Sequence, residues 1–384
     1  MRLFSSKKKE SVEIPQTCTA ADRTGILRTL TDTDSVTQMR LYKSLRENVP
    51  VIDAAIGKLI RLIGDFRLYG ADDEATDALN AFADRVKVGG AAAGLRQFLY
   101  SYLDQLLTYG TAVGEIVPTA DMRGIAALYN APLEAVELRA GDSPLDVHIL
   151  RRGTGSSAEV EHPERITYTL LNPDPGTLCG NSILNGLPFV SDLLIKIFTS
   201  VGQNFERAGN VRFAVTYHPP TGASAMNSRQ RAEEIAREWT KAMRDSTRVC
   251  DFVSVGDVSV KAIGADNQIL DCDVPIRHVL EQIVAKLSIP PFLLGFSWST
   301  TERMSAQQAD ILTSELEYYR GLLTPIIVWV CESYLRMTRR NPLVRVEWNN
   351  ISLQDETELA SARLNNARAA EIENKLTEGT YEER

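Results

Sequence analysis

Along the first part of the chain, apolar residues recur every three or four positions, in runs separated by glycine, proline and asparagine. Behind Asp34, a candidate N-cap, Val36, Met39, Leu41, Tyr42 and Leu45 have helical spacing. Pro50 restarts the chain, and Ile52, Ala55, Ile56, Leu59, Ile60 and Ile63 form a second stripe closed by Gly64. A third helix is predicted over 94–109, with Leu95, Phe98, Leu99, Tyr102, Leu103 and Leu106 on its apolar side and Gly110 as its stop. The period then changes. Residues 112–117, 126–129, 135–139, 146–150 and 165–170 read as short strands between turns. Asn172-Pro173-Asp174-Pro175-Gly176 is a rigid turn.

Helical spacing returns at Asn185, which can cap a helix whose first turn tolerates Pro188. Val190, Leu194, Ile197, Val201 and Phe205 form its stripe, and Gly209 ends it. From Asn185 to Ala208 the helix would be roughly 35 Å long. A strand over 211–217 follows, then a charged helix capped by Ser228 and carrying Arg229, Glu233, Glu234, Arg237 and Lys241, then strands over 249–255 and 258–263. Asp273 and Pro275 start a second long helix, with Ile276, Val279, Leu280, Ile283, Val284 and Leu287 on one stripe.

The stretch from Ser288 to Val330 organises the rest. Pro290-Pro291 stops the incoming helix and pushes Ile289 out of helical geometry. Phe292, Leu293 and Leu294 pack down, Gly295 releases the chain, and a mostly polar loop leads to a long amphipathic helix. Thr301 or Ser305 can cap that helix, and Ile311, Leu312, Leu316, Tyr319, Leu323, Ile326, Ile327 and Val330 line it. Pro325 removes one backbone hydrogen bond inside it, which predicts a kink. Leu343 to Trp348 alternates as a strand, and a charged, alanine-rich helix is predicted from Asp355 onward.

Composition narrows the function classes. The 384 residues, 44% hydrophobic and 24% charged, are ordinary for a folded protein of two or three domain-sized units. A net charge of −8 argues against adhesive binding to nucleic acid. Cys18, Cys179, Cys250, Cys272 and Cys331 are scattered without a CxxC spacing, so neither a disulfide framework nor a cysteine zinc site is indicated. The most apolar run, Leu322 to Cys331, is about half of what a bilayer requires. The N-terminal lysines Lys7, Lys8 and Lys9 have no apolar region after them and read as a solvated tail.

Catalytic motifs are missing. There is no GxxxxGK[ST] phosphate cradle, no GxSxG elbow and no HExxH helix. His148, His162, His218 and His278 stand in unrelated contexts. Asp271 and Asp273 flank Cys272 like a carboxylate pair, but a helix N-terminus recruits such residues electrostatically.

Several segments resemble those of tailed-bacteriophage portal proteins. They are "YGTAVGEIV … GIAALYNAPLEAVELR", "CGNSIL" leading into a long helix, a small strand–helix–strand–strand unit between two long helices, and "IPPFLLG" followed by a polar loop and a long helix with "L-x-P-I". The resemblance covers residues 34–384, and its weight lies in their order. It implies an α+β, mainly helical subunit with these parts: a flexible tail (1–33), a wing of helices and a small mixed sheet (34–180), a first stem helix (181–210), a clip (211–263), a second stem helix (273–294), a tunnel loop (295–304), a kinked wing helix and strand (305–352), and a short or truncated crown helix (353–384).

The same resemblance implies a ring, usually dodecameric in this family, at one capsid vertex of the virion, assembled in the host cytoplasm. The ring would pass double-stranded DNA without base readout during packaging and ejection. It would meet a large terminase, a major capsid or scaffold protein, and neck or adaptor proteins, with no cofactor, metal or membrane. By this reading the channel loop holds Phe296, Ser297, Trp298, Ser299, Thr300, Thr301, Glu302 and Arg303. Val190, Leu194, Ile197, Val201, Ile276, Val279, Ile283 and Leu287 pack the stem. Arg229, Glu233, Glu234, Arg237 and Lys241 face partners of the clip. The residues by themselves also admit a cytosolic hydrolase or transferase whose site is assembled from scattered side chains, or a helical scaffold unrelated to DNA.

Overall fold

The computed structural model describes residues 35–143, 146–153, 157–209, 212–218, 230, 232–237, 257–263, 272–296 and 302–351. The expected tail, the strand over 249–255 and the crown helix lie outside them. The described residues fall into two compact units, one running to Ser191 and resuming at Glu281, the other Asp192–Leu280.

The first unit begins with α1 (Ser35–Asn48) and α2 (Pro50–Leu62), which pack on each other and on α4 (Leu95–Tyr109). Ile52, Ala55, Ile56 and Leu59 of the α2 stripe and Phe98, Leu99, Tyr102, Leu103 and Leu106 of α4 are all buried, as their spacing requires. A polar clamp joins the three helices. Arg46 of α1 reaches Asp53 of α2 at 2.7 Å, and Asp104 and Thr108 of α4 at 2.7 and 2.8 Å.

Helix α4 lies on a mixed sheet with strand order β3-β2-β5-β4-β9, built from β2 (Lys87–Val88), β3 (Ala92–Ala93), β4 (Thr111–Pro118), β5 (Ile125–Asn130) and β9 (Ile166–Leu170). Only β2 and β5 run parallel in it. Gly114 of β4 lets the helix come close, because a Cβ there would meet the Phe98 ring at 2.7 Å. Tyr102 delivers its hydroxyl to Ala112 O at 3.3 Å and Thr169 Oγ1 at 2.9 Å, and burial pushes its pKa up. Gln105 holds both neighbours of the sheet, donating to Ala131 O at 2.8 Å and accepting from Val113 N–H at 3.0 Å. A second antiparallel sheet, β6 (Val136–Ala140), β7 (Val147–Arg152) and β8 (Ser157–Glu159), follows.

Two further elements were not indicated by the apolar pattern. Helix α3 (Asp73–Arg85) is capped by Asp72, whose carboxylate accepts from Ala75 N–H at 2.7 Å. Strand β1 (Phe66–Tyr69) pairs antiparallel with β12 (Arg345–Trp348) near the other end of the chain.

Where α4 ends, Gly110 takes φ +78° and returns its N–H to Leu106 O at 2.8 Å, a left-handed cap. Gly180 crosses this cap so closely that a Cβ on either glycine would overlap the other's carbonyl. Leu171 N–H donates to Gly110 O at 2.8 Å, and Ser182 Oγ donates to Thr108 O at 2.6 Å. The crossing thus fixes where the chain enters α5 (Leu187–Gly209).

Through α5 the chain passes into the second unit. There β10 (Arg212–His218) pairs antiparallel with β11 (Asp257–Ile263), from Arg212 opposite Ile263 to His218 opposite Asp257. Gln230 and residues 232–237 are helical. Helix α6 (Asp273–Lys286) leads back. It ends at Lys286, short of the 273–294 expected, and a separate 3-10 turn occupies Pro291–Leu294. The reason lies before the prolines: Ser288 takes φ +51° and closes the helix itself. Helix α7 (Glu302–Met337) completes the described helices.

The glycine crossing makes a controlled test. Gly110→Ala should lower unfolding stability by about 3 kcal/mol or more, since it adds overlap to a strained φ. Gly89→Ala, also at positive φ (+56°) but with nothing within 4 Å, should cost only about 1 kcal/mol. Urea unfolding of the two variants reads the difference, and equal costs would contradict the crossing.

Candidate assembly and channel site

The turn that follows α6 is tightly built as far as Phe296. Ile283, Leu287, Ile289 and Pro290 are buried, and Gly295, at φ +83°, lets its N–H return to Phe292 O at 3.1 Å. Phe296 N–H closes on Pro291 O at 3.2 Å, so the expected channel loop leaves from a fixed point. Ser297, Trp298, Ser299, Thr300 and Thr301 lie outside the described residues. Glu302 and Arg303, expected in the loop, stand in the first turn of α7, which takes the earlier of its two possible starts.

Helix α7 has 36 residues, about 54 Å at 1.5 Å per residue, and continues helical through Pro325. Pro325 offers no N–H to the preceding turn, and Thr324 Oγ1 donates back to Arg320 O at 2.7 Å. Both features bend helices, which keeps the proposed kink at this position.

A buried cation holds this part of the helix. Arg320 donates Nε–H to Ile63 O at 2.8 Å and Nη1–H to Glu317 at 2.8 Å. Its guanidinium carbon sits 4.9 Å from the Trp348 ring centre, and that indole donates to Thr324 Oγ1 at 3.0 Å. Trp348 also meets Phe66 edge-on at 5.1 Å. Gly64, at φ +78°, leaves room for the group: a Cβ there would stand 2.7 Å from Arg320 Nη2. One arginine therefore joins the end of α2, α7 and the β1–β12 ribbon. Further along α7, burial pushes the Cys331 thiol up to about 12, which leaves it a packing residue.

The expected stem residues differ in burial. Leu194 and Val279 are buried, as are Ile283 and Leu287, whereas Val190, Ile197, Val201 and Ile276 are half-buried. Apolar residues on α5 also extend beyond the expected stripe. Phe189 is 78% exposed, Leu193, Ile195 and Phe198 are exposed as well, and Phe205, of the expected stripe itself, is also exposed. An ordinary surface helix carries one apolar stripe about 100° wide, and α5 carries more.

Of the expected clip surface, Glu233, Glu234 and Arg237 are exposed, while Arg229 and Lys241 lie outside the described residues. Among the described residues no group of His, Cys, Asp and Glu is arranged to hold a metal, and no helix is long and apolar enough to cross a membrane.

No family model matches the chain, and no curated protein matches its sequence. Its structure is similar to a chain in the virion of a native gene transfer agent particle, with a TM-score of 0.61 and 16% identity over 88% of this chain and 89% of that one. It is also similar to a chain in the neck of a native gene transfer agent particle computed with C12 symmetry, with a TM-score of 0.61 and 15% identity over the same shares, 88% and 89%. A crystal structure of an HK97 family phage portal protein from Corynebacterium diphtheriae aligns more loosely, at a TM-score of 0.40 and 11% identity over 79% and 93%. That last alignment is too loose to carry weight. The fold is α+β, and the likeness to the gene transfer agent chains runs along 88% of this chain.

The arginine clasp is open to test. Arg320→Met keeps much of the stem volume but leaves Ile63 O without its donor and Trp348 without its cation. Stability should fall by about 2–4 kcal/mol. Arg345→Ala, which gives up an exposed pair with Glu347 and a contact over the Tyr69 ring on the same ribbon, should change it by about 1 kcal/mol or less. Equal losses in thermal unfolding would remove Arg320 from its place as the junction.

Proposed function

We propose that this chain is the portal subunit of a phage-type particle. Copies of it form a ring, in the proposed reading a dodecamer, at one capsid vertex. Double-stranded DNA passes through the ring during packaging and ejection. The ring docks a large terminase first and neck or adaptor proteins afterwards, and it contacts the major capsid or scaffold protein around its rim. The observation that carries this reading is the likeness to a neck chain in a particle computed with C12 symmetry, which extends over 88% of this chain.

Two further features support it. The apolar surface of α5 exceeds what a single stripe needs, as expected of a helix that has neighbours in a ring. The net charge of −8 suits a channel that DNA must slide through, because a wall dense in Lys and Arg would release counterions and grip the phosphates. The subunit's task is mechanical, and no cofactor enters it.

In this reading the loop between Phe296 and Glu302 reaches the channel, and the helix bearing Glu233, Glu234 and Arg237 faces terminase or neck proteins. Electron microscopy of the purified chain provides the test. Rings with a channel wide enough for a duplex are expected, whereas compact monomers at all concentrations would overturn the reading. Removing Ser297 to Thr300 should then leave the rings intact and reduce packaged DNA per particle. Normal DNA content with normal rings would reduce the loop to a connector.

A further inference from the structure

Beside the proline turn lies a groove of about 420 Å³ that nothing described so far employs. Its floor is apolar, made by Val284, Ile289 and Pro290, all buried. Its rim is the outer side of α7, where Gln308, Ile311 and Glu315 stand one helical turn apart. Ile311 is 64% exposed, and Gln308 has a buried side-chain oxygen with no hydrogen-bond partner. The rim therefore offers an acceptor, an apolar side chain and a carboxylate in a row. An apolar occupant that also brings a positively charged donor suits it.

The same chain displays such a stripe. Phe189, Leu193 and Lys196 follow one another at helical spacing on a flank of α5. Phe189 and Leu193 are exposed, and among the described residues Lys196 is held by an exposed pair with Asp192 on its own helix at 2.6 Å. Exposed pairs of this kind are worth about 0.3–0.5 kcal/mol, so the lysine is readily recruited elsewhere. Each stripe rises about 10 Å along its helix, so the two match in length as well as in chemistry.

We propose that the α5 flank Phe189, Leu193 and Lys196 of one copy docks into the groove at Val284, Ile289, Ile311 and Glu315 of a second copy. In this contact Leu193 packs against Ile311, and Lys196 meets Glu315 and the free oxygen of Gln308. This rests on the ring reading and deepens it. The two patches are different surfaces of one chain, so the contact is head-to-tail, and repetition of a head-to-tail contact closes a ring when the rotation allows.

Mixing separates this contact from other ways of assembling. Leu193→Cys and Ile311→Cys are made separately in the full chain, each with Cys179→Ala, and treated with a short bis-maleimide. Neither variant alone should cross-link above the parent. An equal mixture should give covalent dimers, and the double variant a ladder. Leu193→Cys cross-linking to itself, or rings that form normally with no cross-link in the mixture, overturns the proposal while leaving the ring reading in place. Absence of any assembly overturns both. Charge exchange gives a second measure that needs no cysteine. Lys196→Glu or Glu315→Lys alone should raise the half-assembly concentration about tenfold, and the two together should restore it. No restoration, with both variants folded by circular dichroism, also counts against the contact.

Discussion

The guanidinium of Arg320 is the group around which the larger unit is fixed. A buried cation is tolerable only when most of its donors and its π-face are used. Nη2 is left without a hydrogen-bond partner among the described residues, and the partners of the rest of the group come from two distant parts of the chain and from the helix itself. Ile63 O brings the end of α2, Glu317 the helix's own preceding turn, and Trp348 the strand β12. Because the indole of Trp348 reaches Thr324 as well, the turn before Pro325 is braced from outside at the place where its internal ladder is interrupted. The ribbon beside the long helix therefore ties the turn that carries the proline.

Much of the fold is legible in the sequence, and the parts that are not have physical reasons. The α2 and α4 stripes are strict, and apart from the half-buried Ile60 their residues are buried as spaced. Strand β12 alternates clearly, but its partner β1 is four residues long and its pairing is set by contacts across nearly the whole chain. Helix α3 mixes acidic residues with a short apolar face, so only the Asp72 cap marks its start. The burial of Arg320 leaves no local trace, since an arginine in an amphipathic helix ordinarily faces water. Gly64 and Trp348 explain it only once they are adjacent.

The candidate site divides in the same way. Pro290-Pro291 and Gly295 announce a turn, and the turn is there, yet α6 stops earlier because Ser288 adopts a left-handed conformation that a serine seldom takes. Spacing identifies the apolar sides of α5 and α6. It gives no indication that α5 keeps large apolar residues exposed on both flanks, because period alone does not separate a core from a surface awaiting a neighbour. For the same reason the groove beside Ile311 is invisible until α6, the proline turn and α7 are brought together.

The β1–β12 pairing has a consequence for how the chain comes to be folded. Phe66 faces Trp348, about 280 residues later, so at ribosomal speeds β1 waits tens of seconds for its partner. Until then Phe66 and Leu68, both buried in the finished molecule, have no strand to cover them. A strand of four residues offers few hydrogen bonds to a stray edge, and Arg67 between the two apolar side chains discourages mispairing. The ribbon is therefore a late step in biosynthesis. The arginine clasp, which needs Trp348, forms no earlier, so a nascent chain halted before β12 lacks the tie that steadies its longest helix.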